Sequence, residues 1–208
     1  TNEPDVATGG RLFRNDYCML DATVLSRSAI TVLILACPAV PSAEYTLLHM
    51  GLSAGNDGNA HLLLGLSTYK PRTSIMQTNN SWKPRVSSLA PSPWLGWHLY
   101  GLKGEVVSGS FGATVYLDSA SETFTQANVK PFNVGPLTFC AIGGGTLPRF
   151  TGYVKAAVLY DRVLSAAEMS LLQSNMARAY PQCSGFAGDA RIADALSVAA
   201  QVEAITWS

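Results

Sequence analysis

Carboxylates and histidines are the residues of this chain whose spacing could support acid–base or metal chemistry. Two carboxylates at positions i and i+2 of one strand share a face and can serve as nucleophile and acid in glycoside hydrolysis. No predicted strand carries such a pair, and Asp118 and Glu122 are separated by loop-like residues 119–121. The three histidines occur singly, without the HxH or HxxxH spacing of a zinc site. The sequence therefore predicts no catalytic residues and a protein that is not an enzyme.

Aromatic rings beside amide side chains are the features that could bind a sugar. An exposed ring can pack on the apolar face of a pyranose, while amides bond its hydroxyls. Trp82 lies close to Asn79 and Asn80, and Trp94 follows a proline in an extended connector. These four residues are the predicted carbohydrate-binding set. The alternative stays open that each tryptophan belongs to a core or an interface, since it carries a large apolar area and one N–H to satisfy.

A turn rich in asparagine could hold a calcium ion. Asn56, Asp57 and Asn59 offer side-chain oxygens within four positions, and oxygen is the ligand that Ca²⁺ takes. One carboxylate is little charge for such a site, so an Asx-rich turn without a metal is the favoured interpretation. We accordingly expect no cofactor, with calcium at these three residues as the alternative.

The composition limits the classes of partner. The chain has 208 residues, with 14 Lys and Arg against 14 Asp and Glu, so its formal net charge is zero. Without a basic cluster, nucleic acid is not an expected partner. No apolar run reaches the ~18 residues of a membrane helix, so membrane insertion is not expected. Charged residues are only 13% of the chain, where ~25% is typical, so much of the surface must be neutral.

Short apolar segments separated by turn residues predict an all-β protein. Apolar side chains alternate with polar ones from Phe111 to Leu117, and the leucines at 62, 64 and 66 repeat the pattern. We expect Val154, Ala156, Val158 and Tyr160 to share one face in the same way. The run from Ile30 to Ala36 is almost continuously apolar, which is typical of a strand covered on both faces.

One helix is predicted near the C-terminal end. Ser165 and Glu168 have the spacing of a capping box, in which each side chain bonds the other residue's backbone N–H. Apolar residues then recur at helical spacing, and Pro181 prevents continuation beyond about Arg178 or Ala179.

Three blocks, in order, carry a family resemblance. They are residues 30–36; GWHLY at 96–100 with ATVYLD at 113–118; and AIGG at 141–144, FTGYV at 150–154 and VLYDRVLSAAE at 158–168. Together they resemble the concanavalin A-like lectin/glucanase superfamily, in its laminin-G-like branch. The resemblance implies a jelly-roll β-sandwich of two antiparallel sheets, with a short helix near the end. It also implies a tight turn at Gly152 and a core position for Leu164.

The resemblance leaves function open, because this superfamily includes lectins, hydrolases, adhesion modules and virion proteins. We expect residues 1–185 to form the sandwich and residues 186–208 to form a tail packed on the domain or on a partner subunit. The low charge favours a non-catalytic structural or interaction protein, such as a bacteriophage capsid decoration or tail component of the virion. Such a protein would form homo-oligomers and could contact surface glycans. The alternative is an extracellular carbohydrate-binding module, secreted or displayed on a cell.

Overall fold

A computed structural model describes residues 5–7, 10–14, 18–20, 28–39, 44–50, 62–79, 81–92, 96–132, 137–140 and 150–180. Within them the chain forms strands and a single helix. The strands are β1 (Asp5–Ala7), β2 (Gly10–Arg14), β3 (Cys18–Leu20), β4 (Ala29–Pro38), β5 (Glu44–Met50), β6 (Leu62–Ser67), β7 (Lys70–Met76), β8 (Trp82–Val86), β9 (His98–Val107), β10 (Ser110–Leu117), β11 (Ala120–Ala127), β12 (Leu137–Phe139) and β13 (Thr151–Tyr160). The helix is α1 (Ala166–Ala179). The expected tail, residues 186–208, lies outside the described residues.

The strands form two antiparallel sheets that pack face to face. One has seven strands in the order β1-β2-β13-β4-β9-β10-β11, and the other has six in the order β3-β12-β5-β6-β7-β8. This arrangement confirms the predicted all-β sandwich with one short helix near the C-terminal end. Within the described residues, no helix is long and apolar enough to cross a membrane.

Alternating side chains build the core between the sheets. Phe111, Ala113, Val115 and Leu117 of β10 are buried there, as are the three leucines of β6 at 62, 64 and 66. Both sets were predicted from period-two alternation and are confirmed. Each fully buried large apolar side chain stabilises the fold by about 1.5–3 kcal/mol, so this layer is the main source of stability.

Strand β4 is covered on both faces, as its continuous apolar sequence predicts. Ile30, Val32 and Ile34 point into the core between the sheets. Leu33 and Leu35 point the other way, into a second cluster beneath the helix. The seven-stranded sheet therefore has a buried outer face at its centre.

The prediction that Val154, Ala156, Val158 and Tyr160 share one face is wrong for Val154 and confirmed for the other three. The pairing of β13 with β4 shifts register between Val154 and Ala156, as a β-bulge does. Val154 therefore lies in the core between the sheets, whereas Ala156 and Val158 lie in the cluster under the helix. One extra residue reverses the faces of all side chains that follow it.

Helix α1 starts and ends where the local signals predict. The Ser165 hydroxyl accepts from the Glu168 backbone N–H, and the Glu168 carboxylate accepts from the Ser165 N–H, which confirms the capping box. Met169, Leu172 and Met176 are the buried residues of the helix. Leu164 is 2% exposed and packs in the layer between helix and sheet, which confirms the core position that the resemblance implied.

Gly152 is needed where β13 begins. A Cβ at this position would lie 2.3 Å from the Cys37 carbonyl oxygen and 2.8 Å from the Phe150 ring. Both neighbours are fixed by strand pairing and burial, so no side chain fits. Glycine is therefore required at this close approach inside β13, and the tight turn that the resemblance implied is not what requires it.

Candidate functional site

The predicted sugar-binding residues are only partly within the described chain. Trp82 and Asn79 are described, whereas Asn80 and Trp94 lie outside, as do the predicted calcium ligands Asn56, Asp57 and Asn59. Asn79 is exposed, and its Oδ1 accepts from the Ser81 backbone N–H at 3.1 Å and from Ser81 Oγ at 2.6 Å. Its carbonyl oxygen therefore closes a local turn, and only its amide nitrogen is left to contact a ligand.

Trp82 lies on the outer face of the six-stranded sheet. It pairs with Met76 at the edge strand β8, and its ring centroid is 6.0 Å from that of His49 on β5. Strands β6 and β7 separate β5 from β8, so the two backbones are roughly 14 Å apart. The two rings must therefore lean toward each other across β6 and β7. Trp82 is half-buried as a result.

Strand register brings polar side chains from four strands onto this same face. Thr138 lies opposite His49, which lies opposite Leu63, which lies opposite Ser74. In the next row Thr46 and Arg72 flank Gly65. We call this surface the polar face. Its members are Thr46, His49, Arg72, Ser74, Trp82 and Thr138.

A bulge in β5 is what places two of these residues together. Thr46 and His49 are three positions apart, so strict alternation would put them on opposite faces. The pairing of β5 with β6 shifts register between Thr46 and Leu48, and the extra residue, Leu47, points into the core. Gly65 makes room opposite the bulge, because a Cβ there would lie only 2.1 Å from the Tyr45 carbonyl oxygen.

Three hydroxyls of the polar face are buried without hydrogen bonds. Thr46 Oγ1, Ser74 Oγ and Thr138 Oγ1 have no partner among the described residues. Leaving a buried hydroxyl unsatisfied costs about 1–3 kcal/mol, and most such groups in folded proteins are paired. Three on one face mark a place where hydrogen-bonding partners are missing. Because these oxygens have almost no accessible surface, a ligand could supply the partners only when the groups that cover them move aside.

Burial decreases across the polar face toward β8. Thr46, His49 and Thr138 are fully buried, whereas the Arg72 side chain is 17% exposed and Val86, opposite it on β8, is 45% exposed. Arg72 forms an ion pair with Glu44, so its charge is already balanced. A ligand would therefore approach from the β8 side and meet Trp82 first.

The carboxylates that could have formed a catalytic pair have separate structural roles. Asp118 accepts from the Leu99 backbone N–H at 2.9 Å and lies 2.8 Å from Nδ1 of the buried His98. Glu122 accepts from the hydroxyl and the backbone N–H of Ser88 and also from Ser87 Oγ, and these bonds, those of Ser88 above all, hold the pKa of Glu122 below its usual range. A general acid needs a raised pKa instead.

No metal centre appears in the part of the chain that the structure describes. There, no three His, Cys, Asp or Glu side chains come close enough together to hold an ion. The polar face offers hydroxyls for hydrogen bonding and an indole ring for stacking, beside an imidazole and the paired guanidinium of Arg72.

Sequence reasoning missed five of the six residues of the polar face and found only Trp82. Thr46, Ser74 and Thr138 are separated widely in the chain, and Thr46 and Thr138 each lie between two apolar residues, a pattern typical of a core strand. The bulge at Leu47 also hides the pair Thr46 and His49, because strict alternation predicts opposite faces for two residues three positions apart.

This chain resembles known proteins in its fold. No family model matches the sequence, and no curated protein matches it. Among solved structures, the CBM40 of the Ruminococcus gnavus IT-sialidase is 15% identical, with a TM-score of 0.56 over 73% of this chain and 86% of that one. The NanB sialidase of Streptococcus pneumoniae is 16% identical, with a TM-score of 0.57 over 78% of this chain but 27% of that one.

A toxin domain has the same fold. The binding domain of botulinum neurotoxin serotype G is 14% identical to this chain, with a TM-score of 0.55 over 77% of it and 40% of the toxin chain. At identities this low, these likenesses establish the all-β sandwich fold alone. This chain spans about a quarter of the sialidase it resembles, so activity of that whole enzyme does not transfer.

Proposed function

We propose that this chain is a non-catalytic carbohydrate-binding module that binds a glycan on the polar face. One observation carries the proposal: three buried hydroxyls without partners, at Thr46, Ser74 and Thr138, share a sheet face with the indole of Trp82. The sandwich supplies the rigid frame, and the polar face supplies the recognition.

The side chains match the chemistry of a sugar. A sugar hydroxyl both donates and accepts, as do Ser and Thr hydroxyls, so a bound sugar would satisfy the unpaired groups. The indole offers an apolar surface to the C–H face of a pyranose ring, with one N–H for a further bond. The Arg72–Glu44 pair carries no net charge, so the described face can accept uncharged parts of a glycan.

Proteins of the same fold support this function over the others considered. The R. gnavus CBM40 is known bound to α2,3-sialyllactose, and cell entry of botulinum neurotoxin type C depends on two ganglioside molecules. None of these named proteins is a virion component, so the comparisons favour the module over a capsid decoration or tail protein. On the same grounds we propose an extracellular location and membership of the concanavalin A-like superfamily.

A glycan array followed by calorimetry of the best ligand tests the proposal. We expect binding by the wild-type protein and its loss in Trp82→Ala, because that change removes the ring that covers the polar face. Lys83→Ala is the matched control, since Lys83 is the next residue of β8, is exposed, and lies opposite the core residue Ile75. Absence of any glycan binding, or equal binding by Trp82→Ala and the wild type, would contradict the proposal.

A further inference from the structure

The two sheets end on the same side of the sandwich in edge strands of opposite character. Strand β8 has the sequence WKPRV, with a proline and two cations, which are devices that prevent an edge from pairing with another chain. Strand β11, ASETFTQA, is eight residues long and has no proline, lysine or arginine. Its pairing with β10 is continuous over all eight residues, without a bulge. The seven-stranded sheet therefore ends in a long and regular edge.

The hydrogen-bonding groups on the free side of β11 can be assigned from its hairpin. Leu117 and Ala120 flank a two-residue turn, so they form the hydrogen-bonded pair that closes the hairpin. Alternation from there turns the backbone groups of Ser121, Thr123 and Thr125 away from β10. No described residue bonds these groups. Their side chains are exposed, so the edge is open to another strand.

The single charge on β11 is directed away from that free edge. Glu122 points toward the other sheet, where Ser87 Oγ at 3.0 Å and the Ser88 N–H at 2.7 Å donate to its carboxylate. Arg85 lies 3.8 Å from the same carboxylate. The edge that an incoming strand would meet is therefore neutral and hydroxyl-rich.

We propose that β11 pairs antiparallel with β11 of a second copy of this chain, which joins two seven-stranded sheets edge to edge. The sequence of the edge is self-complementary about Thr123. With a two-fold axis at that residue, Thr123 lies opposite its own copy and Ser121 lies opposite Thr125, so hydroxyl pairs meet on the outer face of the sheet. On the inner face Glu122 lies opposite Phe124 and Ala120 lies opposite Gln126, so no like charges are paired there. Cross-strand hydroxyl pairs are favourable, and like charges would not be.

The charge of the whole chain supports a second copy as the occupant. The formal net charge is zero, so two copies approach without the repulsion that a strongly charged protein would meet. The two-fold pairing would also give each dimer two polar faces. Combined with the proposed function, that arrangement would raise the avidity of the protein for surfaces that display many glycans.

Analytical ultracentrifugation of the full chain, over micromolar to high micromolar concentrations, tests the pairing. We expect a wild-type dimer. Thr123→Pro should be monomeric yet folded, because the lost N–H does not serve the ladder with β10. Thr123→Lys should raise the dissociation constant of the dimer by about tenfold or more, because it places two lysines opposite each other.

Val86→Lys is the matched control, since it adds the same charge to the other edge strand, and it should remain dimeric. Circular dichroism confirms that each variant is folded; if Thr123→Pro does not fold, Thr123→Lys alone decides. A monomeric wild type would overturn the proposal and leave the edge open to an extended peptide. A dimer that persists in the folded Thr123 variants would overturn it as well. Loss of glycan binding with the dimer intact would leave this pairing standing and count against the proposed function alone.

Discussion

The two outer faces of the sandwich are built from different chemistry on the same kind of strand. The outer face of the seven-stranded sheet is apolar at its centre and is covered by α1. Its one buried threonine there, Thr31, donates to the Arg162 carbonyl at 2.7 Å and accepts from the Leu164 N–H at 3.1 Å. On the polar face of the other sheet, Thr138 is equally buried, yet its hydroxyl has no partner among the described residues.

The difference separates a face that stabilises the fold from a face that we propose binds a ligand. Burying the large apolar residues under the helix contributes about 1.5–3 kcal/mol for each of them. Each unpaired hydroxyl on the polar face costs about 1–3 kcal/mol. Valine would fill the space of Thr46 or Thr138 without that cost. Stability alone therefore explains the helix-covered face and does not explain the polar face.

The largest expected effect on stability comes from removing a buried side chain under the helix. Leu172 is 3% exposed and packs among Leu33, Leu35 and Leu99. Leu172→Ala should lower the free energy of unfolding by about 2–5 kcal/mol, measured by urea titration, because it leaves a cavity. Glycan binding at temperatures where the variant is folded should not change. Loss of glycan binding by the folded variant would show that the helix-covered face does more than stabilise the fold.

A matched substitution at the same position sharpens that result. Leu172→Met keeps the volume of the side chain, so it should cost less than about 1.5 kcal/mol. A cost as large as that of alanine would show that something other than packing ties the helix to the sheet.

A smaller effect on stability is expected when low pH protonates Glu168 at the start of the helix. Hydrogen bonds from Arg162 first, and then from the Ser165 N–H, lower the pKa of Glu168 from 4.5 to about 2. Because the folded pKa is the lower one, the contribution of this carboxylate is complete above pH 4.5 and is lost as the pH falls toward 2. The pair is exposed, so solvent and salt keep the contribution small.

Thermal unfolding of Glu168→Gln against the wild type measures this contribution. The melting temperatures of the two proteins should converge as the pH is lowered from 4.5 to 2, because protonation removes the charge of Glu168 in the wild type. Other carboxylates, including Glu122, are present in both proteins and do not change the difference. A constant difference across this range would mean that the ionised Glu168 does not stabilise the helix.

Local signals in the sequence were sufficient for the helix and for the regular strands. The capping box at Ser165 and Glu168 lies within four residues, and the alternation in β10 lies within seven. Each of these patterns is complete in a short stretch of chain. The bulges at Leu47 and Lys155 are not, because they are defined by the pairing with the partner strand. The bulge at Lys155 put Val154 on the face opposite to the one expected from alternation with the residues that follow it.

The polar face could not be predicted for the same reason. Its side chains come from four strands, and no single strand sequence predicts the order β12-β5-β6-β7-β8 in which these strands pair. Trp82 was identified from nearby asparagines, but the structure directs its ring toward His49, a residue 33 positions earlier in the chain. Composition did indicate a neutral surface, and both the polar face and the β11 edge have that character.

The unpaired hydroxyl of Thr138 is the most direct test of the polar face as a binding site, and the isosteric valine removes that hydroxyl alone. In Thr138→Val, the free energy of unfolding measured in urea should rise by about 1 kcal/mol, while the affinity for the glycan selected on the array should fall by about tenfold. In the control Thr31→Val, stability should fall instead and affinity should stay unchanged, because that hydroxyl makes two hydrogen bonds under the helix. A Thr138→Val protein that is less stable than the wild type and binds the glycan equally well would contradict the account.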